Sequence, residues 1–273
     1  MAALNALLDA TFDLLFRPLA ALPVFLSLSL VAVSTAVVIL LAVRAASDQP
    51  ALAAVKRQIH GDFFEMRLFA DDLQAMFRAQ AGILRHNATY LRLSLVPMLW
   101  ISVPLILLLA QLQSHFGYAG VVVGEPVAVT AQWKSVGSDP RTATLDVPPG
   151  VRVETPALWF PALRQVVWLV AAERAGDYRL RVGTGGAVYA KTLHADDGPA
   201  RRSAVRTGPA FFDQVRYPSE PPLPAAAPVA SISVAYGEGR VDVFGWKFGW
   251  MTVYFVESLI FALLLRRPLK VSF

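Results

Sequence analysis

Cysteine is absent from the 273 residues. That excludes a disulfide framework, a zinc knuckle and a thiol nucleophile, although a domain large enough to build its own core needs none of these outside the cytoplasm. Charge is sparse at 16% of residues, against 55% hydrophobic, and the net charge of +5 includes no basic run. Nucleic-acid binding is therefore not expected. Four histidines, His60, His86, His115 and His194, are scattered over different segments without metal-ligand spacing. Asp196-Asp197-Gly198 lacks the further oxygen ligands of a calcium loop and reads as a turn. Gly183-Thr184-Gly185-Gly186 has no lysine and no following helix, so it reads as a β-turn, not a phosphate cradle. No serine sits in a nucleophile elbow. The chain carries no catalytic constellation and no sign of a cofactor or metal, and the expectation is a non-enzyme.

What the chain does have is three long apolar blocks: Leu22 to Val43, Leu93 to Leu112 and Phe248 to Leu265. A bilayer core of roughly 30 Å takes about 20 helical residues, because lipid offers no partner to a backbone amide. The first two blocks are uncharged, and the third holds a single acid, Glu257. Pro97 and Pro104 imply a kink in the second. The first block is longer than a signal-peptide core, and Asp9, Asp13 and Arg17 before it are not a basic start. It reads as a retained span.

Lysine and arginine set the orientation. Arg44, Lys56, Arg57, Arg67, Arg78, Arg85 and Arg92 lie between the first two blocks, and Arg266, Arg267 and Lys270 follow the third. These place the middle segment and the C-terminus in the cytoplasm. The N-terminus and the stretch from Gln113 to Lys247 then lie outside. Arginine- and alanine-rich usage favours a bacterial inner membrane. Leu4, Leu7, Leu8, Phe12, Leu15 and Phe16 repeat at helical spacing, with Asn5, Asp9 and Asp13 off that stripe. Residues 1–20 read as an amphipathic helix in the outer interface, or as a short leader packed on the external domain.

Residues 48–92 read as a helical hairpin. Asp48 and Pro50 suit a helix start. Leu52, Val55, Ile59, Phe63, Met66, Ala70, Leu73 and Phe77 follow at coiled-coil spacing. Gly61 and Gly82 are the candidate turns. The stripe serves hairpin packing, or Phe63, Met66, Leu73 and Phe77 form a docking surface for a partner helix or an arriving polypeptide.

From Val121 to Val243 the period changes to short strands: Val127 to Ala131, Thr144 to Val147, Val151 to Thr155, Val166 to Val170, Tyr178 to Val182, Val188 to Leu193 and Ser231 to Tyr236. Pro148-Pro149-Gly150 marks a turn, and Pro218 to Pro228 an extended connection. Glu173-Arg174-Ala175-Gly176-Asp177-Tyr178 resembles the corner of immunoglobulin-like domains, where a tyrosine hydroxyl bonds back to the backbone. The fold class expected is thus an α+β membrane protein. It has three transmembrane helices (within 21–118 and 245–273), a cytoplasmic hairpin and an extracytoplasmic immunoglobulin-like β-sandwich (119–244).

Glu257 would cost about 2.5–3.5 kcal/mol in mid-bilayer if left unpaired. Tyr254 and Ser258 lie near it on the helix; Ser27, Ser34 and Thr35 share a face of the first span, and Ser102 and Gln113 of the second. They line a polar groove, or Glu257 bridges two helices, or it handles an ion or proton. The order Leu4–Phe16, Leu22–Val43, Asp48–Arg92, Leu93–Leu112, Phe248–Leu265 resembles the YidC-type membrane insertase superfamily, particularly its three-span relatives. That resemblance implies an insertase-like or chaperone-like protein whose partners are the lipid bilayer and client membrane proteins. The alternative is a non-catalytic membrane-anchored scaffold whose sandwich binds an envelope protein.

Overall fold

The computed structural model describes residues 2–46, 48–68, 73–134, 139–196 and 200–269. Its order is a helical N-terminal region, a sheet-rich domain and a final helix, an α+β chain. Contacts divide it into two units. One comprises Met1–Leu28 with Leu107–Val253, and the other Ser29–Ile106 with Tyr254–Phe273.

Helix α1 (Ala2–Phe16) stops just before Pro18, and α2 (Val24–Ala46) starts directly after Pro23. Helix α3 (Gln49–Leu68) is capped as its sequence predicts: Ala51 N–H donates to Asp48 Oδ1 at 3.0 Å, with Pro50 in the first turn. Helix α4 (Leu73–Phe116) then runs for 44 residues, uniting the second hairpin arm with the second apolar block and continuing through Pro97 and Pro104. The arms of α3 and α4 are antiparallel. Asp62 Oδ2 meets His86 Nδ1 at 2.7 Å, and Lys56 Nζ lies 5.6 Å from the Tyr90 ring centre.

The hairpin expectation holds, but its turn does not. Gly61 lies inside α3 and Gly82 inside α4, so neither reverses the chain. Helix propensity wins at both, because flanking residues of high propensity absorb a single glycine for about 1 kcal/mol. Gly82 has a packing reason as well, since a Cβ there would stand 2.9 Å from Asp62 Oδ2. Residues 69–72, between the two helices, lie outside the described residues.

The described residues then form eleven strands: β1 (Pro126–Trp133), β2 (Thr144–Asp146), β3 (Val151–Val153), β4 (Leu158–Phe160), β5 (Gln165–Ala172), β6 (Gly176–Thr184), β7 (Ala187–Ala195), β8 (Val205–Thr207), β9 (Val229–Val234), β10 (Arg240–Val243) and β11 (Trp246–Gly249). A short helix, α5 (Phe211–Arg216), lies between β8 and β9. The larger sheet has the order β3-β5-β1-β9-β8, with β4 also on β5; the smaller is β2-β6-β7, and β10 pairs only with β11. Every pairing is antiparallel.

Strand alternation builds the core. In β1, Val127, Val129, Ala131 and Trp133 turn inward, and β5 supplies Val166, Trp168 and Val170. Leu180 and Val182 of β6 and Leu193 of β7 join the same buried cluster, so the two sheets share one core. The tyrosine corner forms as its spacing predicts: Tyr178 Oη donates to the Arg174 carbonyl at 2.8 Å. Gly185 and Gly186, with φ of 57° and 80°, make the tight β6–β7 turn. Residues 197–199, and with them most of Asp196-Asp197-Gly198, lie outside the described residues.

The third apolar block departs from expectation. Trp246–Gly249 pair with Arg240–Val243 in the register Val241↔Phe248, so the helix α6 (Trp250–Leu265) begins two residues later than the hydropathy suggests. Among the described residues two helices, α2 (Val24–Ala46) and α4 over Gln80–Phe116, are long and apolar enough to cross a membrane. Helix α6 has 16 residues, about 24 Å at 1.5 Å per residue, short of a hydrocarbon core of roughly 30 Å.

Candidate functional site

Within the unit that contains most of α2 and α6, polar side chains meet across the two helices. Ser29 Oγ donates to Glu257 Oε1 at 2.7 Å. Tyr254 is almost fully buried, and its hydroxyl has Thr35 and Ser258 as polar neighbours. Nearer the helix ends, Arg44 Nη1 donates to the Leu269 carbonyl at 3.2 Å. The steps from 29 to 44 and from 257 to 269 run in the same sense, so α2 and α6 lie parallel. Glu257 Oε2 is buried and has no hydrogen bond among the described residues.

The other groove candidates do not join this set. Ser34 Oγ donates to the Leu30 carbonyl of its own helix at 2.8 Å and is exposed. Ser102 does the same to Leu99 at 2.8 Å. Ser27 is buried and donates to the Leu19 carbonyl at 2.8 Å, fastening the start of α2 to the turn before it. Thr35 bonds Val31 O at 2.8 Å while lying near Tyr254. Gln113 Oε1 accepts from the Trp250 indole at 3.1 Å. A helical serine satisfies itself on the carbonyl three or four residues back, and that local bond removes it from any shared polar row. Ser29 is the member that sequence reasoning missed. Its pairing with Glu257 depends on the offset between two helices far apart in sequence, which helix periodicity does not carry.

On the hairpin, Leu52 and Val55 are buried, whereas Phe63 and Phe77 are exposed. The stripe is therefore used for packing near Asp48 and left open farther along. The side chains of Met66 and Leu73 lie outside the described ones.

Two ionic clusters organise the other unit. Arg201 meets Asp9 at 2.5 Å and Asp13 at 3.2 Å, and Gln111 Nε2 donates to Asp9 Oδ1 at 3.0 Å. Phe16 stacks on His115 with ring centres 4.3 Å apart. The acidic side of α1 is thus held by the sheet domain and the end of α4, while Leu7, Leu14 and Leu15 stay exposed on it. The leader does pack on the sheet domain, and it does so through its polar side.

The second cluster is buried. Lys191 of β7 has no exposed surface and donates to Glu220 Oε2 at 2.5 Å, to the Ser203 carbonyl at 2.6 Å and to Ser203 Oγ at 2.9 Å. Thr192 N–H and Ser203 Oγ complete the carboxylate's shell at 2.8 and 2.7 Å. Burial pushes the Lys191 ammonium below its ordinary range, and Glu220 only partly offsets this. Burial also opposes the Glu220 carboxylate, but Lys191 and its hydrogen bonds outweigh burial and hold it below its ordinary value. The signal was present in the sequence, because Lys191 occupies the inward parity between Tyr189 and Leu193.

Among the described residues no group of three or more histidines and acids is placed to hold a metal ion. No family model matches this chain, and neither a curated protein nor a solved structure matches it.

Proposed function

We propose that the chain is a non-catalytic integral membrane protein. Its apolar helices anchor a sheet domain that binds an envelope partner. The observation that carries this reading is the direct bond between α2 and α6 at Glu257, with most of the remaining hydroxyls of α2 and α4 bonded within their own helices. Ser29 is bonded to Glu257, and Ser34, Thr35 and Ser102 to carbonyls of their own helices. The first of these bonds ties two helices together and the others are spent within one helix, a pattern that does not favour an open polar path. Glu257 is then a bridge between α2 and α6, its cost lowered by the Ser29 hydroxyl.

Crossing of a bilayer is supported by the row of large apolar side chains that α2, α4 and α6 leave exposed, among them Val38, Trp100, Val103, Leu259 and Leu264. The basic residues between α2 and α4 and after α6 put the hairpin in the cytoplasm and the sheet domain outside. Helix α6 then crosses with help from its flanks, since a short span is met by local thinning and snorkelling. The parallel course of α2 and α6 agrees with three crossings. For the sheet domain we propose an immunoglobulin-like sandwich. The neighbours β3-β5-β1 and β2-β6-β7 correspond to D-E-B and C-F-G, with β9 in the place of strand A.

A second reading, an insertase-like or chaperone-like protein similar to the YidC-type superfamily, is favoured by the exposed Phe63, Phe64, Leu68 and Phe77 of the hairpin and by the unbonded Oε2 of Glu257. Aqueous labelling separates the two. The chain has no native cysteine, so single cysteines at Ser34 and Ser258 report without background. With the protein in lipid vesicles, a membrane-impermeant maleimide added on both sides is expected to label neither position. Rapid labelling of both would show a water-filled groove, and the insertase-like reading would replace the scaffold.

A further inference from the structure

The turn between β10 and β11 has both central residues in the left-handed region, Phe244 at φ 54° and Gly245 at φ 89°. Gly245 N–H donates to Asp242 Oδ1 at 2.8 Å, which closes the turn. Such two-residue turns take asparagine, aspartate or glycine at the first position, where a large side chain is disfavoured. Phenylalanine stands there nonetheless, 90% exposed. Trp246 follows at 72% exposure and Phe248 at 44%, on one face of β11 two residues apart. No folding advantage accounts for three aromatic side chains held out on a hairpin of two strands.

The position of the hairpin indicates what they meet. The Phe244 ring lies 6.1 Å from that of Phe25, the second residue of α2. At the other end β11 passes directly from Gly249 into Trp250, the first residue of α6. The tip thus stands beside the start of α2, and the base of the hairpin joins the start of α6. Lys247 between the aromatics is exposed, a cation at the level that lipid phosphates would occupy. Aromatic rings flanked by a basic residue at the start of a span are the composition of the membrane–water boundary.

We infer that the β10–β11 hairpin is an interfacial anchor, with Phe244 and Trp246 seated in the headgroup region of the leaflet in which α2 and α6 start. It fixes the depth and tilt of the sheet domain over the bilayer and lengthens the hold of the short helix α6. The inference rests on the membrane reading above.

The test uses the full chain in vesicles of phosphatidylcholine and phosphatidylglycerol, with a polarity-sensitive fluorophore on a single cysteine. Trp246→Cys reports on the hairpin, Val38→Cys on the middle of α2 and Glu125→Cys on an exposed turn of the sheet domain. Lipids bearing a nitroxide near the headgroup are expected to reduce emission at position 246 to roughly half or below. A nitroxide deep in the acyl chains should act chiefly at position 38, and neither should act at 125. Phe244→Asn, which suits the turn better, should leave the domain folded and abolish the quenching at 246. If 38 is quenched and 246 is not, the anchor is wrong while the membrane reading stands. A blue-shifted but unquenched probe at 246 would mean that protein covers the hairpin, and that also overturns the anchor. Quenching at 246 that persists in Phe244→Asn would remove Phe244 from the proposal. No quenching at 38 would overturn the membrane reading and the anchor with it.

Discussion

Replacing Lys191 by methionine is expected to destabilise the sheet domain by about 3–5 kcal/mol, the usual cost of leaving one partner of a buried ion pair without its counter-charge. Lys191→Met removes the ammonium and keeps the apolar stem, so packing changes little. Glu220 is left with its bonds from Thr192 and Ser203, too few for a carboxylate with so little solvent. Lys191→Met combined with Glu220→Gln removes both charges and keeps an acceptor for Thr192, and it should recover more than half of the loss. Unfolding of the full chain in detergent, followed by near-ultraviolet circular dichroism, measures both. The same pair sets an acid limit. Glu220 has a native pKa below its unfolded value near 4.5, so its stabilisation is fully present above that pH. It is lost as the pH falls from there through the lowered native value. The double variant should lack that share of the acid sensitivity. If the costs of Lys191→Met and Glu220→Gln measured singly add up to the cost of the double, the charges are not coupled and the cluster has been misread.

Gly239→Ala is the second large effect. Gly239 N–H donates to the Gly117 carbonyl at 3.0 Å, and a Cβ at position 239 would stand 2.0 Å from the Phe116 carbonyl oxygen and 2.9 Å from the Gly117 carbonyl carbon. Backbone cannot move aside as a long side chain can. The expected loss is about 3 kcal/mol or more, the upper range for overpacking, with failure to accumulate folded protein as the extreme. Gly61→Ala is the matched control. Nothing lies within 4 Å of its Cβ and the residue sits mid-helix, so alanine should stabilise by about 0.5–1 kcal/mol. The contrast also tests the hairpin, because a glycine that formed the turn would not accept alanine with a gain.

The parts of the fold that sequence made legible are those whose cause is local. The Asp48 cap, the corner at Tyr178, the turn at Gly185 and Gly186, and the strands β1, β2, β3, β5, β6, β7 and β9 each follow from a few adjacent residues. Strands β4 and β8 have three residues each and, unlike the equally short β2 and β3 beside Pro148-Pro149-Gly150, have no turn signal to mark them. Strand β11 was hidden by its own hydrophobicity, since Trp246 to Gly249 continue the apolar composition of α6 and only pairing with β10 separates them. The hairpin turn was assigned to glycines because glycine is the usual breaker, yet the helices ran through both. At the candidate site, Glu257 stood out as a lone acid in an apolar block. Its partner Ser29 did not, because serines are common in α2 and nothing local marks the one opposite the carboxylate. Ser27, Ser34 and Ser102 bond carbonyls instead of Glu257, and sharing a helical face says nothing about which carbonyl a hydroxyl will choose.

The central claim is that a bilayer separates the sheet domain from the α3–α4 hairpin. Single cysteines at Glu125, exposed in the sheet domain, and at Arg57, exposed on α3, test it in sealed right-side-out vesicles. A membrane-impermeant maleimide is expected to label position 125 at once and position 57 only after the vesicles are opened. Labelling of both before opening, or of 57 alone, would contradict the account.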